Sequence, residues 1–269
     1  MKLCEIYKTL NELAPKSISD EYCEKYGAYD NSGVLVDTGE EIQGVLFSLD
    51  LSFAAIEKAV ESGANLIVTH HPAIYGKISD IRVSDFQPLG KKLVAALRKG
   101  ISVISMHLNL DGAQGGIDES LMQGVCLSAG KNAPKDVALM HTLSTGGYGR
   151  AYAIEPTSLG VLTENMQQTF STRRLQAYGE ENKTISRVAS FCGGGADEEA
   201  VAFAVKQKAD AIVSSDFKHH VITLAVESGL SVIALTHYAS EHYGFEKFYQ
   251  KIRRVTEIPC IFHTDDILL

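Results

Sequence analysis

The sequence predicts an α/β protein, and three observations predict it. From Val45 onward short apolar runs alternate with stretches of helical periodicity, glycines stand just past the helical stretches, and several apolar runs close on histidine or a carboxylate. Such alternation builds βαβ units around a parallel sheet. Strands buried on both faces read as continuous apolar runs, and open α/β sheets bind ligands at the carboxyl ends of their strands.

The first element is a helix, because Leu3, Ile6, Tyr7, Leu10 and Leu13 recur at helical spacing through a segment that carries charge throughout. Pro15 ends it, and the charges make it no signal peptide. A strand over 44–49, a helix over 53–62, a strand over 65–68, a helix over 89–99 and a strand over 101–106 follow. Gly63 and Gly100 sit where a helix end takes up the left-handed conformation. The texture changes at 131–135 with Asn132 and Pro134, and then come Gly146, Gly147 and Gly149. Strands over 150–154, 174–178 and 184–191, interrupted by a helix between Ser158 and Phe170, read as a mixed-sheet α+β segment. A boundary placed there divides the chain into lobes 1–130 and 131–269. After Gly193-Gly194-Gly195 the alternation returns: helix 197–207, strand 211–213, helix 219–228, strand 231–235, helix 241–254 and a last strand near 259–263. The chain shows neither an internal repeat nor a low-complexity tract.

Composition narrows the class. A chain of 269 residues with 45% hydrophobic content buries a large core, which excludes disorder for most of it. A net charge of -8 and a pI near 5.6 exclude a general attraction for a phosphate backbone, so no general nucleic-acid binding is expected. Arg173-Arg174 and the basic group at 251–254 read as solvated helix faces. The five cysteines, Cys4, Cys23, Cys126, Cys192 and Cys260, are odd in number and form no Cys-x-x-Cys pair. That points to a reducing compartment and away from disulfides or a thiolate zinc site. No apolar stretch approaches the ~18 to 20 residues of a membrane span, so a cytoplasmic protein without membrane attachment is expected.

The chemistry lies at the strand ends. His70-His71 closes the run Leu66-Ile67-Val68-Thr69. An isolated pair of this kind is ordinarily one buried histidine beside a solvent-facing one, but at a strand terminus both imidazoles can converge on neighbouring ions, and Pro72 stiffens the turn. His107 and Asp111 follow the next apolar strand, where the carboxylate can ligate a divalent ion and His107 can ligate or orient it; Asp111-Gly112 alone would be a turn. His237 and Glu241 follow a third strand at a spacing of four, which puts both on one side of a helix, although Ser240 or Glu241 would also suit a helix amino terminus. Jointly these groups are hard to assign to packing, because buried ionisable side chains are costly unless paired or metal-bound. Gly193-Gly194-Gly195 suits backbone approach to an anion and equally a flexible turn, without matching a dinucleotide or P-loop pattern. Asp216, Lys218, His219 and His220 offer a cation and imidazoles near the same sheet edge, and a polar helix start accounts for them equally well.

Five blocks resemble those of the GTP cyclohydrolase 1 type 2 homologues, also called Nif-three-like proteins, in family order over almost the whole chain: Asp30-Asn31-Ser32-Gly33-Val34-Leu35-Val36, Thr69-His70-His71-Pro72, Ser105-Met106-His107-Leu108-Asn109-Leu110-Asp111, Cys192-Gly193-Gly194-Gly195 and Thr236-His237-Tyr238-Ala239-Ser240-Glu241. The resemblance implies a two-lobed α/β fold, a parallel-sheet three-layer lobe plus a smaller mixed-sheet lobe, with a dinuclear metal site in the cleft. It implies two divalent ions per chain ligated by His70, His71, Asp111, His237 and Glu241, the last two returning from the second lobe, and a toroidal homohexamer. Zinc, iron, manganese and nickel all accept such ligands. The chain departs from the family in having Ser214-Ser215-Asp216 where Thr-Gly and an acid are common, and His107-Leu108 where His-Thr is common.

The activity the resemblance implies is hydrolytic. Two ions about 3.5 to 4 Å apart would activate a water to attack C8 of the GTP purine, opening the imidazole ring with release of formate. His107 or His220 would be the catalytic proton carriers, while Lys218 or the loop at Gly193 and Gly194 would hold phosphate. The alternatives are hydrolysis of another nucleotide or phosphoester and a non-enzymatic metal-binding adaptor ring, since fold and ligands do not identify a substrate.

Overall fold

The computed structural model describes residues 1–84, 88–130 and 133–269, and Lys131 and Asn132, where the change of texture was expected to begin, lie outside the described residues. The helix α1 (Leu3–Leu13) buries Leu3, Ile6 and Leu10 on one face. Pro15 ends α1 and also opens a second helix, α2 (Lys16–Tyr26), which stops at Gly27 in the left-handed conformation at φ +68°. Proline is tolerated where a helix begins because its missing N–H has no partner there. Sequence periodicity passes over α2 because only Ile18 and Ser19 are buried on it.

Next come β1 (Gly33–Val36), β2 (Val45–Ser48), α3 (Phe53–Glu61), β3 (Leu66–Thr69), α4 (Pro88–Arg98), β4 (Ser102–Ser105) and the short α5 (Leu108–Gly112). Every residue of β2, β3 and β4 is buried, which is why apolar residues are not interrupted by charged ones along these strands. Ser52 starts α3 by accepting the Ala55 N–H at 3.0 Å. The chain continues through α6 (Ile117–Ser128), β5 (Lys135–Thr142), β6 (Gly147–Ser158), α7 (Leu159–Thr169), β7 (Gln176–Tyr178), β8 (Thr184–Ser190), α8 (Glu198–Lys206), β9 (Ala211–Ser214), α9 (His219–Glu227), β10 (Ser231–Ala234), α10 (His237–Val255) and β11 (Cys260–Phe262).

The chain splits into two compact units, Met1–Ala113 with Phe245–Thr264, and Gln114–Gly244 with Asp265–Leu269, and α10 contributes residues to both. The first unit holds a five-stranded sheet in the order β1-β4-β3-β2-β11. Its β4, β3, β2 and β11 are parallel, and β1 pairs antiparallel with β4. Leu46, Ile56, Ile67, Leu93 and Val103 belong to its core, and Phe47 packs with Phe245, Phe248 and Tyr249 of α10.

The second unit holds a six-stranded sheet in the order β5-β6-β8-β9-β10-β7. Its β8, β9 and β10 are parallel, while β5, β6 and β7 pair antiparallel with their neighbours. Both sheets are therefore mixed, each with parallel strands flanked by antiparallel pairing. Phe191, Val201, Ile212 and Val232 fill the core of this unit, and a buried ion pair joins Arg150 of β6 to Asp118 of α6. Asp118 also accepts the Gly149 N–H at 3.0 Å and the Cys192 N–H at 3.1 Å. No helix among the described residues is long and apolar enough to cross a membrane.

Candidate metal centre

In the first unit the parallel strands deliver their carboxyl ends to a cluster of imidazoles. His70 and His71 leave β3 with both N–H groups on the Leu49 carbonyl, at 3.2 and 2.9 Å. His70 is fully buried, and its Nδ1 donates to the Met106 carbonyl at 2.8 Å. A carbonyl only accepts, so the proton is on Nδ1 and the neutral ring presents a lone pair at Nε2. His71 Nδ1 lies 2.9 Å from Asp50 Oδ1, and His107 Nδ1 lies 2.8 Å from Asp30 Oδ1.

Asp111 stands one helical turn beyond His107 on α5, 4% exposed, with Oδ1 3.5 Å from His70 Nε2. Asn109 fixes that helix by donating to the Ala14 carbonyl at 2.7 Å. His70, His107 and Asp111 each offer a ligand atom, and these atoms lie within 4.8 Å of one another. The ring centroids of His70 and His107 are 5.3 Å apart, and those of His70 and His71 5.0 Å.

Asp30 is held more firmly than a turn residue needs. Its carboxylate accepts from Ser19 Oγ at 2.5 Å, Ser32 Oγ at 2.6 Å and His107. Burial pushes this carboxyl up, but the hydrogen bonds from His107, Ser19 and Ser32 outweigh it and hold it well below the usual carboxylate range. The His107 backbone N–H in turn donates to Ser32 Oγ at 3.0 Å.

In the second unit α10 opens on His237, four residues before the expected start of this helix, because the Thr236 hydroxyl accepts the Ala239 N–H at 3.0 Å. His237 and Glu241 therefore share one helical face, with Nε2 and Oε2 3.1 Å apart, and Glu241 is 3% exposed. Asp216 Oδ2 lies 2.5 Å from His237 Nδ1. Asp216 follows β9 and adopts φ +51°, a left-handed conformation that aspartate tolerates better than most residues.

The glycine loop packs against this group. Gly193 has φ +57°, its N–H donates to Ser240 Oγ at 3.1 Å, and its carbonyl accepts from Ser214 and Ser215 at 3.1 and 2.5 Å. A Cβ on Gly193 would collide with Glu241 Oε1, and one on Gly194 would lie 3.6 Å from Asp216 Oδ2. Glycine is thus required for close approach to Glu241. With carboxylates on this side, an anion is repelled unless a cation intervenes.

Lys218 and His220 lie on the exposed start of α9. His220 Nε2 pairs with Glu198 Oε1 at 2.9 Å, both side chains about three-fifths exposed. The carboxylates that orient the imidazoles, Asp30, Asp50 and Asp216, were not assigned that part from the sequence. Asp30 and Asp216 fall inside segments that the sequence singles out, whereas Asp50 carries no signal beyond its place after β2.

The family model described as Duf34/NIF3 (NGG1p interacting factor 3) matches residues 1–266. A Clostridium perfringens protein named GTP cyclohydrolase 1 type 2 homolog is 28% identical, over 94% of this chain and 92% of its own. A Saccharomyces cerevisiae protein named NGG1-interacting factor 3 is 27% identical, over 86% of this chain and 85% of its own. Among solved structures, a Staphylococcus aureus hypothetical protein superimposes with a TM-score of 0.81 at 22% identity, covering 98% of this chain and 97% of that one. That likeness concerns the fold.

Proposed function

Because the chain belongs to the Duf34/NIF3 family, we propose that it is a metal-dependent hydrolase of a nucleotide, with GTP as the first substrate to test and two divalent cations per chain held by His70, His71, Asp111, His237 and Glu241. The observation that carries this reading is the pairing of buried His70 and buried Asp111, with Nε2 and Oδ1 3.5 Å apart, and part-buried His107 beside them. Imidazole nitrogen and carboxylate oxygen suit zinc, iron, manganese or nickel, and burying such groups is costly unless they are paired or metal-bound. The proposed part of His237 and Glu241 rests on their shared face of α10, with Nε2 and Oε2 3.1 Å apart and Glu241 buried.

Divalent ions bound there would supply Lewis acidity, lowering the pKa of a water to about 7 and polarising the attacked centre. The chain's own residues do the rest. His107, its Nδ1 proton held by Asp30, takes the proton of the attacking water at Nε2. Lys218, exposed at the start of α9, is the cation for a substrate phosphate. Gly193 leaves room for Glu241 Oε1, and Gly194, where a Cβ would make only an ordinary contact with Asp216, is the candidate for backbone approach to phosphate. His220, tied to Glu198 on the exposed face, serves at most in proton exchange with solvent.

Elemental analysis of gently purified protein tests the metal reading. About two ions per chain, lost in Asp111→Ala and Glu241→Ala, supports it, and a metal-free wild type that takes up none from solution overturns it. Formate release from GTP by the loaded protein tests the substrate, and a panel of nucleotides and phosphoesters is the next step if GTP is inert. Self-association as a homohexamer is part of the proposal, with sedimentation as its measure. The name of the yeast relative favours a second reading, a metal-binding adaptor, for which partner capture would survive His70→Ala and Glu241→Ala.

A further inference from the structure

We propose that Asp30 is a positioning residue that fixes His107 in the Nδ1–H tautomer, so that its Nε2 lone pair faces the group formed with His70 and Asp111. The proposal rests on the reading of that group as the reaction centre and deepens it, because it says which atom of His107 can take a proton.

The geometry is that of a built device. Asp30 Oδ1 is 2.8 Å from His107 Nδ1, while Oδ2 takes the hydroxyls of Ser19 at 2.5 Å and Ser32 at 2.6 Å. Both hydroxyls come from the first unit, Ser19 from α2 and Ser32 from the segment before β1, and both residues are buried. The Asp30 side chain is 1% exposed against 20% for the His107 side chain. The carboxylate is therefore gripped from behind and presents one oxygen to the ring. An acceptor-only oxygen at Nδ1 requires the proton there, and a neutral imidazole then has its lone pair at Nε2. Ser32 adds a second restraint by accepting the His107 backbone N–H at 3.0 Å, so carboxylate and backbone are registered to one another. A turn aspartate would need none of this, whereas a group oriented for proton transfer needs all of it.

The test is solid-state 15N spectroscopy of the full chain labelled only at histidine, without metal and loaded with Zn2+, at a pH where the rings are neutral. The His107 signals are assigned by their absence from His107→Gln. In the wild type His107 is expected to show a protonated Nδ1 and an unprotonated Nε2. A protonated Nε2 overturns the proposal, and that result needs no variant to fold. In Asp30→Ala the ring is expected to move to the Nε2–H form that an unconstrained imidazole favours, with the Zn2+ content per chain unchanged. An unchanged tautomer in that variant, or loss of the bound Zn2+ with it, would mean that Asp30 does not act through the proton of His107. Failure of the hydrolase reading looks different, because a wild type that binds no Zn2+ removes that reading while its metal-free spectrum still decides the tautomer.

Discussion

Replacing Asp118 by alanine removes the counter-ion of Arg150 in a place water does not reach. Asp118 is 0% exposed and Arg150 3%. The carboxylate also satisfies the N–H groups of Gly149 and Cys192, at 3.0 and 3.1 Å. Breaking a buried ion pair by removing one member costs about 3–5 kcal/mol, and each buried N–H left without an acceptor costs about 1–3 kcal/mol. These losses share one site and do not add fully, so a total of roughly 4–6 kcal/mol is expected, lowering Tm by roughly 2–4 °C per kcal/mol. Among the described residues Arg150 also pairs with Glu119, whose Oε2 is 3.9 Å from the guanidinium and too distant to replace Asp118. The assay is urea unfolding of wild type, Asp118→Ala, and Asp118→Ala combined with Arg150→Met. The double variant has no stranded cation and is expected to recover at least ~1 kcal/mol over the single one. A loss below ~1 kcal/mol in Asp118→Ala, or a double variant less stable than the single one, would refute the reasoning.

Three further outcomes are expected. Gly193→Ala meets both a left-handed backbone, worth about 1–2 kcal/mol, and a collision with Glu241, so metal content by elemental analysis should fall while circular dichroism stays native. Burial pushes the His242 imidazole down to about 4, only partly offset by Asp266, so the unfolded chain takes up its proton first as pH drops. The stability that this neutral ring contributes is therefore complete above the unfolded pKa near 6.5 and is lost, to the extent of about 3 kcal/mol, as pH falls towards 4. Unfolding measured at pH 7 and 4.5 should show a smaller difference in His242→Phe. Burial also pushes the Cys126 and Cys260 thiols up to about 11, whereas Cys4 is exposed, so iodoacetamide at pH 8 should label Cys4 well before those two in peptide mass spectra.

What was legible in the sequence was what burial on two faces writes into it. The strands β2, β3, β4 and β9 each bury all four residues, so their apolar runs could be read directly, and the histidines closing β3, β4 and β10 could be read with them. The less buried elements were hidden. Only the two end residues of β1 are buried, and β5 has no fully buried residue. The sequence puts the start of α10 at Glu241 because Ser240 and Glu241 both suit a helix amino terminus, whereas the cap is Thr236. The orienting carboxylates escaped for a different reason. Asp30 stands 77 residues from His107, Asp50 21 from His71 and Asp216 21 from His237. No local spacing encodes a partner at that distance.

The opening helices hold none of the proposed ligands, yet they anchor the imidazoles from outside. Ala14, between α1 and α2, takes the Asn109 amide, and Ser19 takes Asp30 by the carboxylate. A chain trimmed of its first two helices for convenience of expression would keep every candidate ligand and lose the brace that aims His107. Its failure would easily be mistaken for evidence that the ligands had been chosen wrongly.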